Sequence, residues 1–340
     1  MNAIQAIERM RDVIRLRHFA LSTERCYVDW ARRYVRFLLA RRPGATSEQK
    51  FAAYLTHLAR DCDVSAVTQN QAFNALRFFY EHGIGQPLGE VSALRARRRQ
   101  HERIAPSRAQ VAALRAALVD TPQTPARLLV DLLYGCGLRV SEPLELRVRD
   151  ILWAESQLVI RDAKGAKDRR VPIPCSLVAA LRAQVQRARS AWEWDRAHAP
   201  QVGVTLPHQL AKKYPTAPFA WAWFWVFPAP GHCAHPRTGT RVRYHLLDVN
   251  IQRAVKAAAI KTGLHGIVTP HCLRHAYATH QLQSGEDLKT IQTVMGHVSM
   301  ETTAGYLHAD VRRAGNPLDT LTLRPALKAV WSDVPALTAS

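Results

Sequence analysis

The feature that most restricts this fold is an interruption. Between Pro87 and Pro106 the apolar periodicity of the opening helices stops, and LRARRRQHER crowds Arg95, Arg97, Arg98, Arg99 and Arg103 into one short run. Such a run has few side chains to bury and is ordinarily solvated. The chain therefore divides into a first domain over 1–86, an Arg-rich linker over 87–105, a second domain over 106–322 and a C-terminal tail over 323–340. With 340 residues, both domains are long enough to bury a core of their own.

The first domain reads as four amphipathic helices. Ile4, Ile7, Met10, Val13 and Ile14 recur at helical spacing, and Thr23–Ala40 carries Tyr27, Trp30, Tyr34, Phe37 and Leu38 on one face. Arg25, Arg32, Arg33 and Arg36 lie largely off that stripe. A third helix starts at Thr46, where Gln49 completes a capping box, and buries Phe51, Tyr54, Leu55 and Leu58. A fourth runs from about Ser65 to His82 and is stopped by Gly83. The aromatic residues are expected to be core, leaving the exposed arginines to grip phosphate or simply to face solvent.

The charge balance narrows the partner. Lys and Arg number 47 against 27 Asp and Glu, a formal net charge of +20, which points to a polyanion and most often to nucleic acid. Charge alone leaves a ribosomal protein, a membrane-surface binder or an Arg-rich proteome open. The six cysteines form no C-x-x-C pair, and His232, Cys233 and His235 lack a second ligand pair at zinc-finger spacing, so they are read as loop residues and no metal site is expected. The N-terminus has acidic residues and no apolar core of a signal peptide. No run approaches the ~18–20 apolar residues of a membrane span. A cytoplasmic protein with reduced thiols is expected.

The second domain is mixed. Ser107 opens a helix, and Ala126–Tyr134 is nearly all apolar and so buried. Gly135-Cys136-Gly137 then permits a sharp reversal, with Ser141 expected to cap the next helix and Pro143 tolerated in its first turn. Arg139 is pinned between these elements, with Glu142 near enough to orient it. A planar guanidinium fork suits two phosphate oxygens, although a structural ion pair with Glu142 would use the same residues. Leu158–Ile160 and Arg170–Ile173 read as two strands around DAKGAKDR, a tip carrying Lys164 and Lys167. An ammonium there could protonate a leaving oxygen, or be an ordinary turn lysine. Ser176–His198 is a long helix. Phe219, Trp221, Trp223, Phe224, Trp225 and Phe227 read as an alternating aromatic strand, one face buried and the other able to stack bases.

The stretch Thr269–Tyr306 then gathers His271, Arg274, His297 and Tyr306. His271 and Arg274 are one helical turn apart. Two arginines and imidazoles are fixed positive donors of the kind a pentavalent phosphorane needs. No Asp/Glu cluster offers itself for Mg²⁺ and no GxxxxGK[ST] loop is present, which leaves covalent catalysis by a tyrosine held in a positive pocket, without ATP, metal or other cofactor.

In order and spacing, Arg139, Lys164, His271-x-x-Arg274, Met295-Gly296-His297 and Tyr306 resemble the six-residue signature of the tyrosine recombinases, the phage integrase family. The likeness runs from the first helices to about Asp319. It implies a mainly α fold with a small antiparallel β-sheet: an all-helical, SAM-like core-binding domain and a mixed α+β catalytic domain, closing as a C-shaped clamp around DNA. It also implies roles: Tyr306 as nucleophile, Arg139 and Arg274 as transition-state clamps, Lys164 as general acid, His271 as acid/base and His297 as phosphate donor. Arg97, Arg98 and Arg99 would follow the DNA backbone.

More narrowly, VIRLRHFALSTERCYVDW, LPHQLAKKYP, WFWVFPAP and the closing NPLD resemble the integron integrases. The aromatic segment, about 192–245, corresponds to the insertion that sets that branch apart. Trp223 and the pair Tyr244-His245 match its contacts to bases extruded from a folded single-stranded hairpin site. The chain departs from the pattern at Tyr244, where two histidines are usual, at Ala163, where glycine is common, and in a shorter Arg-containing segment after Tyr306. The implied activity is integration and excision of gene cassettes through a 3′-phosphotyrosyl intermediate. It would be carried out by a homo-tetramer in the bacterial cytoplasm, associated with the nucleoid when bound. The alternatives are a phage-type or Xer-like recombinase on duplex sites, and a catalytically silent DNA-binding relative.

Overall fold

The computed structural model describes residues 2–40, 44–89, 105–163, 167–207 and 210–296. It falls into two units, Met1–Arg103 and Ile104–Ser340.

Among the described residues the first unit has four α-helices whose ends the sequence marks chemically. Helix α1 (Ala3–Leu16) begins at Asn2, which with Gln5 forms a reciprocal capping box, and α3 (Ser47–Arg60) has the Thr46–Gln49 box its sequence predicts. Between them lies α2 (Leu21–Leu39); α4 (Ala66–Phe78) follows Ser65, whose side chain caps it, and widens into a π turn over Phe79–Ile84. Met10, Ile14, Tyr34, Phe51 and Leu76 are almost fully enclosed. Ile4, counted on the buried stripe, is instead 73% exposed. Tyr34 and Tyr80 share a buried hydroxyl–hydroxyl bond of 2.6 Å, and buried Glu24 takes Arg15 at 2.8 Å. The aromatics are core, as expected, and Arg25, Arg32, Arg33 and Arg36 are exposed.

The second unit opens with α5 (Arg108–Ala117), capped by Ser107 and Gln110, and α6 (Ala126–Gly135), whose Leu128, Leu129, Val130, Leu132 and Leu133 are all buried. Helix α7 (Ser141–Leu144) is a single turn. Ser141 is its first residue and not its cap: Val140 holds the cap position, with no side-chain cap bond, and the Glu142 carboxylate accepts from the Arg139 amide (2.8 Å) just before the helix. Strands β1 (Ile151–Leu152), β2 (Gln157–Ala163) and β3 (Lys167–Pro172) form an antiparallel sheet, with Leu158 opposite Val171 and Ile160 opposite Arg169. Helix α8 (Cys175–His198) packs against α6.

The segment 203–245 contains a second small sheet. In it β6 (Arg241–His245) is flanked by β4 (Gly203–Val204), parallel, and β5 (Pro228–Ala234), antiparallel. A single turn, α9 (Leu210–Lys213), lies between β4 and β5. Phe219–Phe227 is not the expected strand. Ala217–Phe219 and Trp221–Trp223 are 3-10 turns closed by bonds such as Trp223 N to Ala220 O (3.1 Å), and the chain straightens only at Phe224. Nor are His232 and Cys233 loop residues. They lie on β5, and His232 bonds buried Asp195 at 2.8 Å beside Arg243.

Helices α10 (Asp248–Lys261), α11 (Pro270–Gln283) and α12 (Leu288–Met295) are the last elements among the described residues. One continuous core joins α5, α6, the first sheet, α8, α10 and α11. Among the described residues no helix is long and apolar enough to cross a membrane.

Candidate active site and the aromatic pocket beside it

The site is built where the loop after α6 passes α11. Gly137 has φ +61°, and a Cβ there would lie 2.5 Å from the Tyr277 ring, so only glycine lets the loop approach this closely. Its carbonyl accepts from Arg274 Nη1 at 2.6 Å. Two residues on, Arg139 donates Nη1 to Glu142 Oε1 (2.7 Å) and Nη2 to the Gly296 carbonyl (3.1 Å).

Arg274 sits on α11, a helix started by Thr269 and Pro270. Its second arm donates to the Met295 carbonyl at 2.5 Å, and its first lies 3.8 Å from Glu142 Oε2. Two arginines distant in sequence thus hold the same turn at the end of α12. Gly296 closes that helix with φ +64°. His271 is exposed on the first turn of α11, its ring edge-on to His275 at 4.5 Å.

A third arginine completes the cluster. Arg169, on β3, bonds both oxygens of Glu142 (2.9 and 2.6 Å) and donates Nε to the Val294 carbonyl at 2.7 Å. Its neighbours in sequence do not single it out. The available signal was strand alternation, since Arg169, Val171 and Ile173 share a face and all three are buried while Arg170 is exposed.

Glu142 is therefore the hub, a buried carboxylate clasped by Arg139 and Arg169 and approached by Arg274. Burial alone would raise its pKa. The Arg169 hydrogen bonds and charge, joined by those of Arg139, more than offset that and hold it below the usual carboxylate range. Three guanidiniums around one carboxylate leave the cluster positive, with donors fixed before any ligand arrives. Such preorganised donors stabilise charge that builds up on a phosphate in substitution. Of the three, Arg139 is the most open, with 27% of its side chain exposed against 7% for Arg169 and 3% for Arg274.

The structure thus brings Arg139, Glu142 and Arg274 together and places His271 on the same helix as Arg274. Lys164, His297, Tyr306 and the linker residues Arg97, Arg98 and Arg99 lie outside the described residues.

A cleft of about 300 Å³ lies beside the cluster, with Glu142 in one wall and Trp223, Trp225, Tyr244 and His245 in another. That is the low end of the ~300–1,000 Å³ range of small-molecule pockets. Its frame is Arg147, a buried guanidinium 3.8 Å over the Trp225 ring that donates to the Trp223 and Thr205 carbonyls, each at 2.7 Å. Burial lowers its pKa to about 10, which still leaves it charged at neutral pH. Arg149 lies 4.0 Å over Trp223. Trp223 and Tyr244 are partly exposed, whereas His245 is buried, donating Nδ1–H to the Leu246 carbonyl at 2.7 Å with its pKa lowered by burial. Trp223 and Tyr244 are thus the rings that line the opening, and His245 backs them.

Comparison with known proteins agrees with this architecture. The model of the phage integrase family matches residues 107–313, and that of the phage integrase N-terminal SAM-like domain matches 7–90. An integrase/recombinase of Escherichia coli is 38% identical over 327 residues, spanning 94% of this chain and 95% of its own length. Tyrosine recombinase XerD of Agrobacterium fabrum is 32% identical over 292 residues, covering 81% and 80% of the two chains. Among solved structures, a lambda integrase dimer bound to a COC′ core site superposes with a TM-score of 0.58 at 16% identity, covering 91% of this chain and 95% of that one. XerH bound to a palindromic difH substrate gives 0.56 at 16% identity, over 87% and 79%. This chain belongs to the phage integrase family, the tyrosine recombinases, whose members cut and rejoin DNA.

Proposed function

We propose that this recombinase is of the integron type and acts on folded single-stranded attachment sites, moving gene cassettes in and out of an array. The observation that carries the reading is the aromatic cleft beside Glu142. It brings together Trp223 and Tyr244, both partly exposed, in a cleft that Glu142 also lines. Base-on-aromatic stacking contributes about 1–3 kcal/mol per base, enough to select a site by its unpaired bases.

In this reading Arg139 and Arg274 bind the nonbridging oxygens of the cleaved phosphate. The Tyr306 hydroxyl, losing its proton to a neighbouring base, attacks phosphorus, with His297 donating to the phosphate and His271 serving in proton transfer. The 5′ oxygen leaves with a proton from Lys164, and a 3′-phosphotyrosine remains. The reverse attack by a 5′ hydroxyl reseals the strand, the bond energy having been kept. Arg97, Arg98 and Arg99 of a linker over 87–105 would track the backbone, contributing position and not sequence. Four copies would assemble on two sites in the bacterial cytoplasm.

Trp223→Ala is expected to weaken binding to a bulged hairpin site by about 10-fold or more while leaving a fully paired duplex nearly unaffected. Equal losses on both would favour the second reading, an Xer-like enzyme of duplex sites. The 32% identity to XerD of Agrobacterium fabrum supports that alternative.

A further inference from the structure

The proposed chemistry uses Arg139 and Arg274 and has no task for Arg169, yet the Arg169 side chain makes three hydrogen bonds within the cluster. It spends one edge on both oxygens of Glu142 and its Nε on the Val294 carbonyl. A Cβ on Gly296 would meet its Cδ at 2.9 Å, so the turn closing α12 is moulded onto this side chain. Arg139 and Arg274 hold the next two carbonyls, Gly296 and Met295. Three consecutive carbonyls are thus each taken by a different guanidinium, immediately before His297.

We propose that Arg169 is a positioning residue for strand cleavage. It acts in two ways, through Glu142 and through the turn. By pairing with both carboxylate oxygens it satisfies the charge of Glu142, so Arg139, 2.7 Å from the same carboxylate, keeps its positive field for the phosphate. By holding Val294 it fixes the backbone from which residue 297 departs. A structural ion pair would need only one arginine on Glu142, and the i,i+3 neighbour Arg139 already supplies it. The second, from a strand 27 residues away, sets where that carboxylate points.

The test compares cleavage of two substrates by the full chain. Both are nicked duplexes of the attachment site recovered from DNA flanking its own gene. One has a normal phosphate at the cleaved position, and the other a methylphosphonate, in which a neutral methyl replaces one charged oxygen. An arginine clamp matters less when that charge is gone. Arg169→Gln is expected to form the covalent adduct about 100-fold more slowly than wild type on phosphate, and less than about 10-fold more slowly on methylphosphonate, with DNA affinity within about threefold. Arg169→Lys, which keeps charge but loses the fork, is expected about 10-fold slow on phosphate, with the gap closing on methylphosphonate in the same way. The lysine variant decides the matter should the glutamine variant fail to fold. A variant equally slow on both substrates, or adduct formation by Arg169→Gln within about threefold of wild type on phosphate, would overturn the proposal.

Discussion

Replacing Glu142 by glutamine probes the hub of the site with almost no change in shape. The carboxylate accepts four hydrogen bonds, from the Arg139 amide (2.8 Å), Arg139 Nη1 (2.7 Å), Arg169 Nη1 (2.9 Å) and Arg169 Nη2 (2.6 Å), with Arg274 3.8 Å away. Glutamine keeps one acceptor oxygen and turns an NH₂ toward two of those donors. Three guanidiniums then face each other without the carboxylate. Removing one partner from a buried ion pair costs about 3–5 kcal/mol. In a catalytic unit of this size each kcal/mol moves the melting temperature by ~2–4 °C, so the expected loss is about 6–20 °C. The assay is calorimetry of the full chain with the transition of the catalytic unit assigned by its tryptophans. The pH dependence provides a second reading. Because the folded pKa of Glu142 is depressed, its contribution is present above the unfolded value of about 4.3 and is lost as pH falls through the folded value. The wild type should therefore lose more stability than Glu142→Gln on acidification below about pH 4. A variant melting within about 1 °C of wild type would refute the clasp as a stabilising element.

Arg147→Met strands the Trp223 and Thr205 carbonyls, at about 1–3 kcal/mol each, and should both lower that same transition and shift tryptophan fluorescence. Unchanged fluorescence would mean that Arg147 does not hold the aromatic segment. In the first unit, Tyr80→Phe leaves the buried Tyr34 hydroxyl without its 2.6 Å partner. About 1–3 kcal/mol of local stability should vanish, seen as faster amide exchange in α2 and α4 with the catalytic unit unaffected.

Local chemistry was legible wherever cause and effect lie within a few residues. The Thr46 and Ser107 caps, the buried run of α6 and the Arg139–Glu142 pair all follow from spacing of three or four. Arg169 escaped because nothing local separates it from Arg170; only the continuation of β3 toward Val171 puts one inward and the other in solvent. The aromatic segment misled for the opposite reason. PFAWAWFW alternates as a strand does, but Ala217–Phe219 and Trp221–Trp223 fold as 3-10 turns, the second tied down by Arg147 from 76 residues earlier. Long-range donors of this kind leave no periodic mark. The parallel pairing of β4 with β6 was unreadable on the same grounds, β4 being only two residues long.

The most direct measurement of the central claim is covalent trapping with the wild type and Tyr306→Phe, on nicked hairpin and nicked duplex sites side by side. A protein–DNA adduct through the 3′ phosphate is expected with the wild type, more of it on the bulged hairpin, and none with Tyr306→Phe. An adduct that persists in Tyr306→Phe, or its absence from the wild type on its own site, would contradict the proposed chemistry.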